Sequence, residues 1–423
     1  MLDASIFVRI ARVPRYRLRT SLFLLPCMLA SMHVASALAQ SPPLDPSQGD
    51  GRVSAFYQWS EPVVGKPGEL LNSEPLPSEL GLAQAGVQKR ILYTSTDGVD
   101  GSSPVIVSGA FFTPKGTPPA GGWPIVAWAH GTVGMADICA PSWAGRSYRD
   151  IQYLNRWLSE GFAIVATDYQ GLGTPGPHPY LKTRPAAYSV LDSIRAVLGG
   201  GFDLSNNIIL VGQSQGGGAA FATAAFAPAY APDLNIRGTV ATGVPYLSEK
   251  TLSRPPTKDP NKVDPTLAYV LYIGLTLQQT DKNLNASDMF SAQALPVFEL
   301  ARTSCIAGFE SSVISAALTP ATTSLPGFRK AGAAALPAFT YPTLKLAEPI
   351  FIGTGAEDKD VAPEDQFSLI KDACEAGTIV AAHLYSGLNH GETVNASLRD
   401  SLPFVKKVMA GEAIAPICEP HPE

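Results

Sequence analysis

Histidine is scarce in this chain of 423 residues, which holds six, and cysteine is scarcer still at five. Any chemistry that needs an imidazole must therefore draw on His33, His130, His178, His383, His390 or His421. The cysteines fall at no zinc-ligand spacing, so a structural zinc module is excluded, and nothing reads as a metal or cofactor site. Charge is thin as well: Asp, Glu, Lys and Arg make up 16% of the residues, with a net charge of −5. Without residues 1–39 the balance is 26 Lys and Arg against 35 Asp and Glu, about −9. That disfavours nucleic acid and anionic membranes as partners, and is silent on neutral small molecules. Apolar runs long enough to span a membrane are also missing.

Residues 1–39 stand apart in composition. They contain Arg9, Arg12, Arg15, Arg17 and Arg19, then the apolar run Leu22-Phe23-Leu24-Leu25-Pro26-Cys27-Met28-Leu29-Ala30, and end in Ala37-Leu38-Ala39. A basic stretch, a short apolar stretch and an A-x-A site read as a signal peptide cleaved after about Ala39, hence a secreted or periplasmic protein. Pro26 before Cys27 argues against lipoprotein processing. The remaining cysteines, Cys139, Cys305, Cys374 and Cys418, are even in number in an exported chain, which suggests two disulfides among three connectivities.

What the chain does have is a hydrophobic content of 45%, enough for a large core. Residues 40–88 read as an N-terminal leader, flexible at least over the Pro/Ser/Asp stretch 41–50. Residues 89–96 and 104–113 alternate as two early strands. From Trp123 strands and helices alternate: strand 123–129, helix 150–160, strand 162–167, helix 186–198, strand 207–211, a helix-like run, and strand 237–242. Such alternation predicts an α/β fold with a mostly parallel central sheet covered by helices on both faces. It stops after Tyr246, leaving 247–347 as an insertion of mainly helical period before the strand near Ile350, a lid or cap candidate.

The most telling segment is Gly212-Gln213-Ser214-Gln215-Gly216, which follows the apolar run Ile208-Ile209-Leu210-Val211 and precedes Gly217-Gly218-Ala219-Ala220-Phe221. A strand turning into a helix through G-x-S-x-G is the nucleophile elbow of the α/β-hydrolases, which lifts the Ser214 hydroxyl out of the surface. The acid and then the histidine should follow in sequence. His130 and His178 precede Ser214, His33 lies in the signal peptide, and His383 sits inside the strand-like run Ile379 to Tyr385. His390, in the loop just beyond, is the expected base. The acid is expected in the loop after Glu348-Pro349-Ile350-Phe351-Ile352-Gly353, where four carboxylates crowd. Asp358 precedes Val361 by three positions, as in the G-x-x-D-x-x-V-P loops of such hydrolases, and Asp360 is the fallback. Oxyanion donors are expected from the backbone N–H of Thr132, in His130-Gly131-Thr132 after a buried strand, and of Gln215. His130 then reads as structural, Asp168 as a loop cap, and His178 as ordering its Pro-rich loop or lining the mouth of the site.

Trp128-Ala129-His130-Gly131-Thr132, Cys139-Ala140-Pro141-Ser142, Asp168-Tyr169-Gln170-Gly171-Leu172-Gly173 and Gly212-Gln213-Ser214-Gln215-Gly216-Gly217 together resemble the secretory lipase family, from about Trp123 to the His390 loop. The resemblance implies an α/β-hydrolase with Ser-Asp-His chemistry, a helical lid and carboxylic esters as substrates, lipids included. The expected core is then 89–246 with 348–423. The pairing expected is Cys139–Cys305, tying the loop after the oxyanion turn to the insertion, and Cys374–Cys418, pinning the tail. The apolar pieces 267–277 and 314–318 are expected to pack over the site and line an acyl pocket favouring medium or long chains over acetate. A peptidase or amidase of the same fold, or a non-catalytic binding protein on this scaffold, are the competing readings.

Overall fold

The computed structural model describes residues 42–63, 65–253 and 259–421, which all belong to one unit, Leu38–Glu423. The signal peptide expected over 1–39 lies outside the described residues. Nine strands form one sheet: β1 Leu70–Pro75, β2 Ala85–Thr96, β3 Pro104–Pro114, β4 Trp123–Ala129, β5 Ala163–Thr167, β6 Leu204–Gln213, β7 Ile236–Thr242, β8 Ile350–Gly355 and β9 Val380–Tyr385. Their order is β1-β2-β3-β5-β4-β6-β7-β8-β9. The pairs β1/β2, β2/β3 and β3/β5 are antiparallel and every later neighbour is parallel. This is the α/β-hydrolase architecture, with the mostly parallel sheet that the alternation predicted.

Strand alternation sends successive side chains to opposite faces. Ile125, Ala127, Ile208 and Leu210 join one core, shared with α2 (Thr183–Gly199), α3 (Gln215–Tyr230) and α7 (Pro363–Glu375). Val126, Trp128, Ile209 and Val211 join the other, under α1 (Tyr148–Ser159) and α8 (Leu398–Ala410). With both faces covered, the parallel strands read as continuous apolar runs, which is why they were visible in the sequence. The chain runs from β4 to β5 on one side, then crosses back to β6 on the other. The carboxyl ends of β4 and β6 therefore flank the point where the strand order reverses, the usual place for a ligand in such sheets.

Two expectations need correction. Residues 40–88 are more than a leader: they carry β1 and the first residues of β2, whose pairing begins at Ala85. Leu70-Leu71-Asn72-Ser73-Glu74-Pro75 does not alternate, because it is an edge strand defined by its partner β2 rather than by a buried face. The apolar pieces of the insertion divide: Tyr269, within 267–277, reaches the cleft lined by Ser214, but the leucines do not. Leu267, Leu271, Leu275 and Leu277, on α4 (Leu267–Thr280), pack with Phe290, Phe298, Phe309, Val313 and Leu318 into a core of the insertion's own. A segment of this length buries its own apolar surface, so those leucines do not serve a substrate pocket. Residues 314–318 hold the end of α5 (Ile306–Ser315) and Ala317 at φ 49°, Ile314 is exposed, and α6 (Pro326–Ala335) follows.

Both disulfides pair as expected, Cys139–Cys305 and Cys374–Cys418. Beside the first, the Ile306 N–H donates to Val133 O at 2.8 Å, so the base of α5 is tied to the loop after β4. Among the described residues no helix is long and apolar enough to cross a membrane.

Candidate active site

Ser214 sits between β6 and α3 with φ 58° and ψ −124°, a left-handed conformation that a residue with a Cβ rarely adopts. Its flanking glycines are required by contact. A Cβ on Gly212 would stand 1.9 Å from Gly216 O, and one on Gly216 would stand 1.9 Å from Ala129 O. The turn is pinned by Ser214 N–H donating to Thr242 O at 2.9 Å. Gln215 follows as the first residue of α3, where the backbone N–H has no partner inside the helix.

His390 lies in the loop after β9, and Asp358 in the loop after β8. The imidazole Nδ1 is 2.7 Å from Asp358 Oδ2. Both side chains are buried. Asp358 is itself held on every side. Oδ1 accepts from the Asp360 and Val361 amides at 3.0 and 2.9 Å, and Oδ2 accepts from Gln366 Nε2 at 3.0 Å. Gln366 in turn takes the Thr354 hydroxyl on its Oε1 and donates to Val361 O. No motif marks Gln366 in the sequence, since its role depends on α7 folding back over β8. Asp360, the fallback acid, instead accepts from the Tyr269 hydroxyl of α4 at 3.0 Å. The ligand atoms of Asp358, Asp360 and His390 lie within 4.8 Å of one another. Two of the three are bonded to each other, so the group offers a cation little.

With Nδ1 facing the carboxylate, His390 Nε2 is left enclosed and without a partner. His390 and Ser214 line the same cleft, of about 420 Å³. Gly131, Thr132 and Val133 of the loop after β4 form one wall; Tyr269, Ile306 and Ala307 come from the insertion. The Thr132 hydroxyl is paired with the Tyr180 hydroxyl at 2.7 Å. The Gln215 side chain turns away to His178, Nε2 to Nε2 at 3.1 Å. Burial lowers the His178 pKa to about 4, so the ring stays neutral: Nδ1–H donates to Gln170 O at 2.8 Å and Nε2 accepts from Gln215.

The remaining candidates are held by structural partners, and His130 also lines the cleft. His130 is buried against Tyr169 with its ring nitrogens on Gly131 O and Asp168 O, and burial pushes its pKa down. Asp168 accepts from the Ser142 amide at 2.9 Å, the Ser142 hydroxyl, and the Ser108 hydroxyl at 2.7 Å, a knot between loops. His383 stacks on Phe351 within the sheet. Arg146 and Gln213 also line the cleft, and the sequence reading assigned neither a role.

Residues 147–249 match the family model for secretory lipase. The match covers about a quarter of the chain. It runs from the start of α1 past β7 and includes Ser214, and it is narrower than the resemblance from Trp123 to the His390 loop. No curated protein matches the chain in sequence. In fold, the chain is similar to Candida antarctica lipase A in its closed state, at 19% identity and TM-score 0.68, over 85% of this chain and 86% of that one. It is also similar to the rice cell wall degrading esterase LipA from Xanthomonas oryzae, at 20% identity and TM-score 0.64, over 82% and 98%. A putative hydrolase from Legionella pneumophila aligns at 20% identity and TM-score 0.63, over 82% and 100%. At these identities the likeness is one of fold.

Proposed function

We propose that the protein is an exported serine hydrolase of carboxylic esters, working through Ser214, His390 and Asp358. The secretory-lipase stretch and the lipase and esterase folds support an ester hydrolase; the observation that carries the mechanism is His390. Its Nδ1 is committed to Asp358 while its Nε2 is enclosed, unpartnered and in the cleft of a strained Ser214. Catalytic hydrogen bonds often tighten only when substrate is bound, which suits a base still waiting for its proton.

In this reading Ser214 Oγ attacks the ester carbonyl carbon and its proton passes to His390 Nε2. Asp358 holds the Nδ1–H tautomer and stabilises the imidazolium. The Thr132 and Gln215 amides donate to the oxyanion, where one such donor is typically worth ~3 kcal/mol of transition-state stabilisation. The intermediate collapses as His390 returns the proton to the leaving alkoxide, giving free alcohol and an acyl-serine. Water, deprotonated by the same imidazole, then releases the acid. Export is supported by the signal-like residues 1–39 and by the two disulfides. The hydrolase core comprises 70–246 and 348–423, so that β1 and all of β2 are included, and 247–347 acts as a lid contributing Tyr269, Ile306 and Ala307 to the cleft wall.

The test is fluorophosphonate labelling beside turnover of a p-nitrophenyl ester series. Ser214→Ala should abolish labelling and lower turnover by ~10⁴–10⁶-fold, because nucleophile and base act as a unit. Activity within tenfold of the parent would remove Ser214 from the mechanism.

A further inference from the structure

Arg146 lies in the loop between the short helix Pro141–Ala144 and α1, on the wall of the cleft that Ser214 and His390 share. Its Nε, Nη1 and Nη2 are all enclosed, and none has a hydrogen-bond partner. The guanidinium rests on the Phe112 ring, with Cζ 5.0 Å from the centroid. Asp168 and Asp150 act on it through space and oppose the burial that lowers its pKa, but neither is hydrogen-bonded to it. The Asp168 oxygens are taken by Ser142 and Ser108, and Asp150 Oδ1 by Arg149 Nε at 2.8 Å. Next to the nucleophile, Gln213 is in a like state: its Oε1 accepts from Arg149 Nη2 at 3.0 Å, while its Nε2 is buried and unpartnered. Four nitrogen donors on residues lining one cleft thus lack an acceptor.

A buried guanidinium with no acceptor is among the costliest arrangements a protein can hold, and contact with one aromatic face offsets only part of that. What satisfies it best is a carboxylate, whose two oxygens match the fork of N–H groups. A neutral acyl chain would leave these donors dry. The insertion's leucines, which would have greeted such a chain, are packed in their own core. A cleft of about 420 Å³ holds a compact acid-bearing ester comfortably.

We propose that the cleft selects esters bearing a free carboxylate in addition to the ester group, and that Arg146, with Gln213 Nε2, is the specificity-determining side that binds it. The guanidinium makes no hydrogen bond where it lies, so an incoming carboxylate gains its donors without breaking one. The inference rests on the ester-hydrolase reading above.

Two matched pairs test it, with spontaneous hydrolysis subtracted: mono(4-nitrophenyl) adipate against 4-nitrophenyl hexanoate, and 4-acetoxybenzoate against methyl 4-acetoxybenzoate. The first pair places the carboxylate on the acid side of the ester and the second on the alcohol side. The parent protein should favour the charged member of one pair by ~10-fold or more in kcat/KM, since a site built around donors rejects the analogue that lacks their acceptor. High salt should erode that preference. Arg146→Met should collapse the ratio to about one, and Arg146→Lys, which keeps charge without the fork, should retain part of it. Should Arg146→Met fail to fold, the parent's own ratios and competitive inhibition by adipate decide. Parent ratios at or below one in both pairs would overturn the inference, as would Arg146→Met lowering both members of a pair equally, the mark of a structural counter-charge. No turnover of any of the four esters, with no fluorophosphonate label at Ser214, would instead overturn the ester-hydrolase reading.

Discussion

The two aspartates of the loop after β8 stand two positions apart and face different partners. Asp358 receives His390 Nδ1 and Gln366, and Asp360 receives the Tyr269 hydroxyl. Asp358→Asn should therefore lower kcat by about 10⁴-fold, because an amide presents the wrong partner to Nδ1–H. Asp360→Asn should stay within about tenfold of the parent, since an amide oxygen still accepts from Tyr269. Steady-state kinetics on one p-nitrophenyl ester ranks the two, and the reverse ranking would move the acid to Asp360. Gln366→Leu should fall between them. It leaves the carboxylate in place but removes the donor that fixes its orientation, so kcat should drop with KM little changed.

At the scale of elements, the disulfides differ in what they hold. Cys139–Cys305 closes 166 residues and lies in the cleft wall, joining the loop after β4 to α5 of the insertion. Cys374–Cys418 closes 44 residues and fastens the tail, whose Ile417 pairs with β9, to the end of α7. By loop entropy alone each should stabilise by ~4–5 kcal/mol. Replacing Cys139 and Cys305 together with serine should lower both the melting temperature and kcat/KM, because the loop that carries Thr132 loses its anchor. Replacing Cys374 and Cys418 should lower the melting temperature and leave kcat/KM near the parent value. Equal kinetic losses in both double variants would mean that the first bond does not position the oxyanion wall.

For the molecule as a whole, two buried groups set opposing pH slopes in the same window. Burial raises the Asp137 pKa to about 7. The folded state thus holds that proton more tightly than the unfolded chain, and its contribution is full below about pH 4 and lost as pH rises through about 7. His178 is depressed to about 4, so its contribution is full above the ordinary imidazole value and lost as pH falls toward 4. The two partly offset. Asp137→Asn should raise the melting temperature at pH 8 by a few degrees and leave it nearly unchanged at pH 4, which a calorimetric pH series checks. A gain at pH 4 equal to that at pH 8 would contradict the shift.

Much of this molecule was legible before any coordinates. The parallel strands are buried on both faces and so are continuous apolar runs, and G-x-S-x-G marks its own turn because a Cβ on Gly212 or Gly216 would stand 1.9 Å from a backbone oxygen. Scarcity narrowed the histidine to His390. What tertiary structure alone decided is everything that depends on distant segments meeting. β1 exists only through its pairing with β2, and the insertion's leucines reach Phe290, Phe298 and Phe309 rather than a substrate. Gln366 reaches Asp358 because α7 packs back on β8, and the unanswered donors of Arg146 and Gln213 emerge only once their surroundings close around them. Periodicity reports which side of an element is apolar, since that is a local property of the chain. Which partner a polar group finds, or fails to find, is set by packing between elements far apart in sequence, and no local pattern carries it.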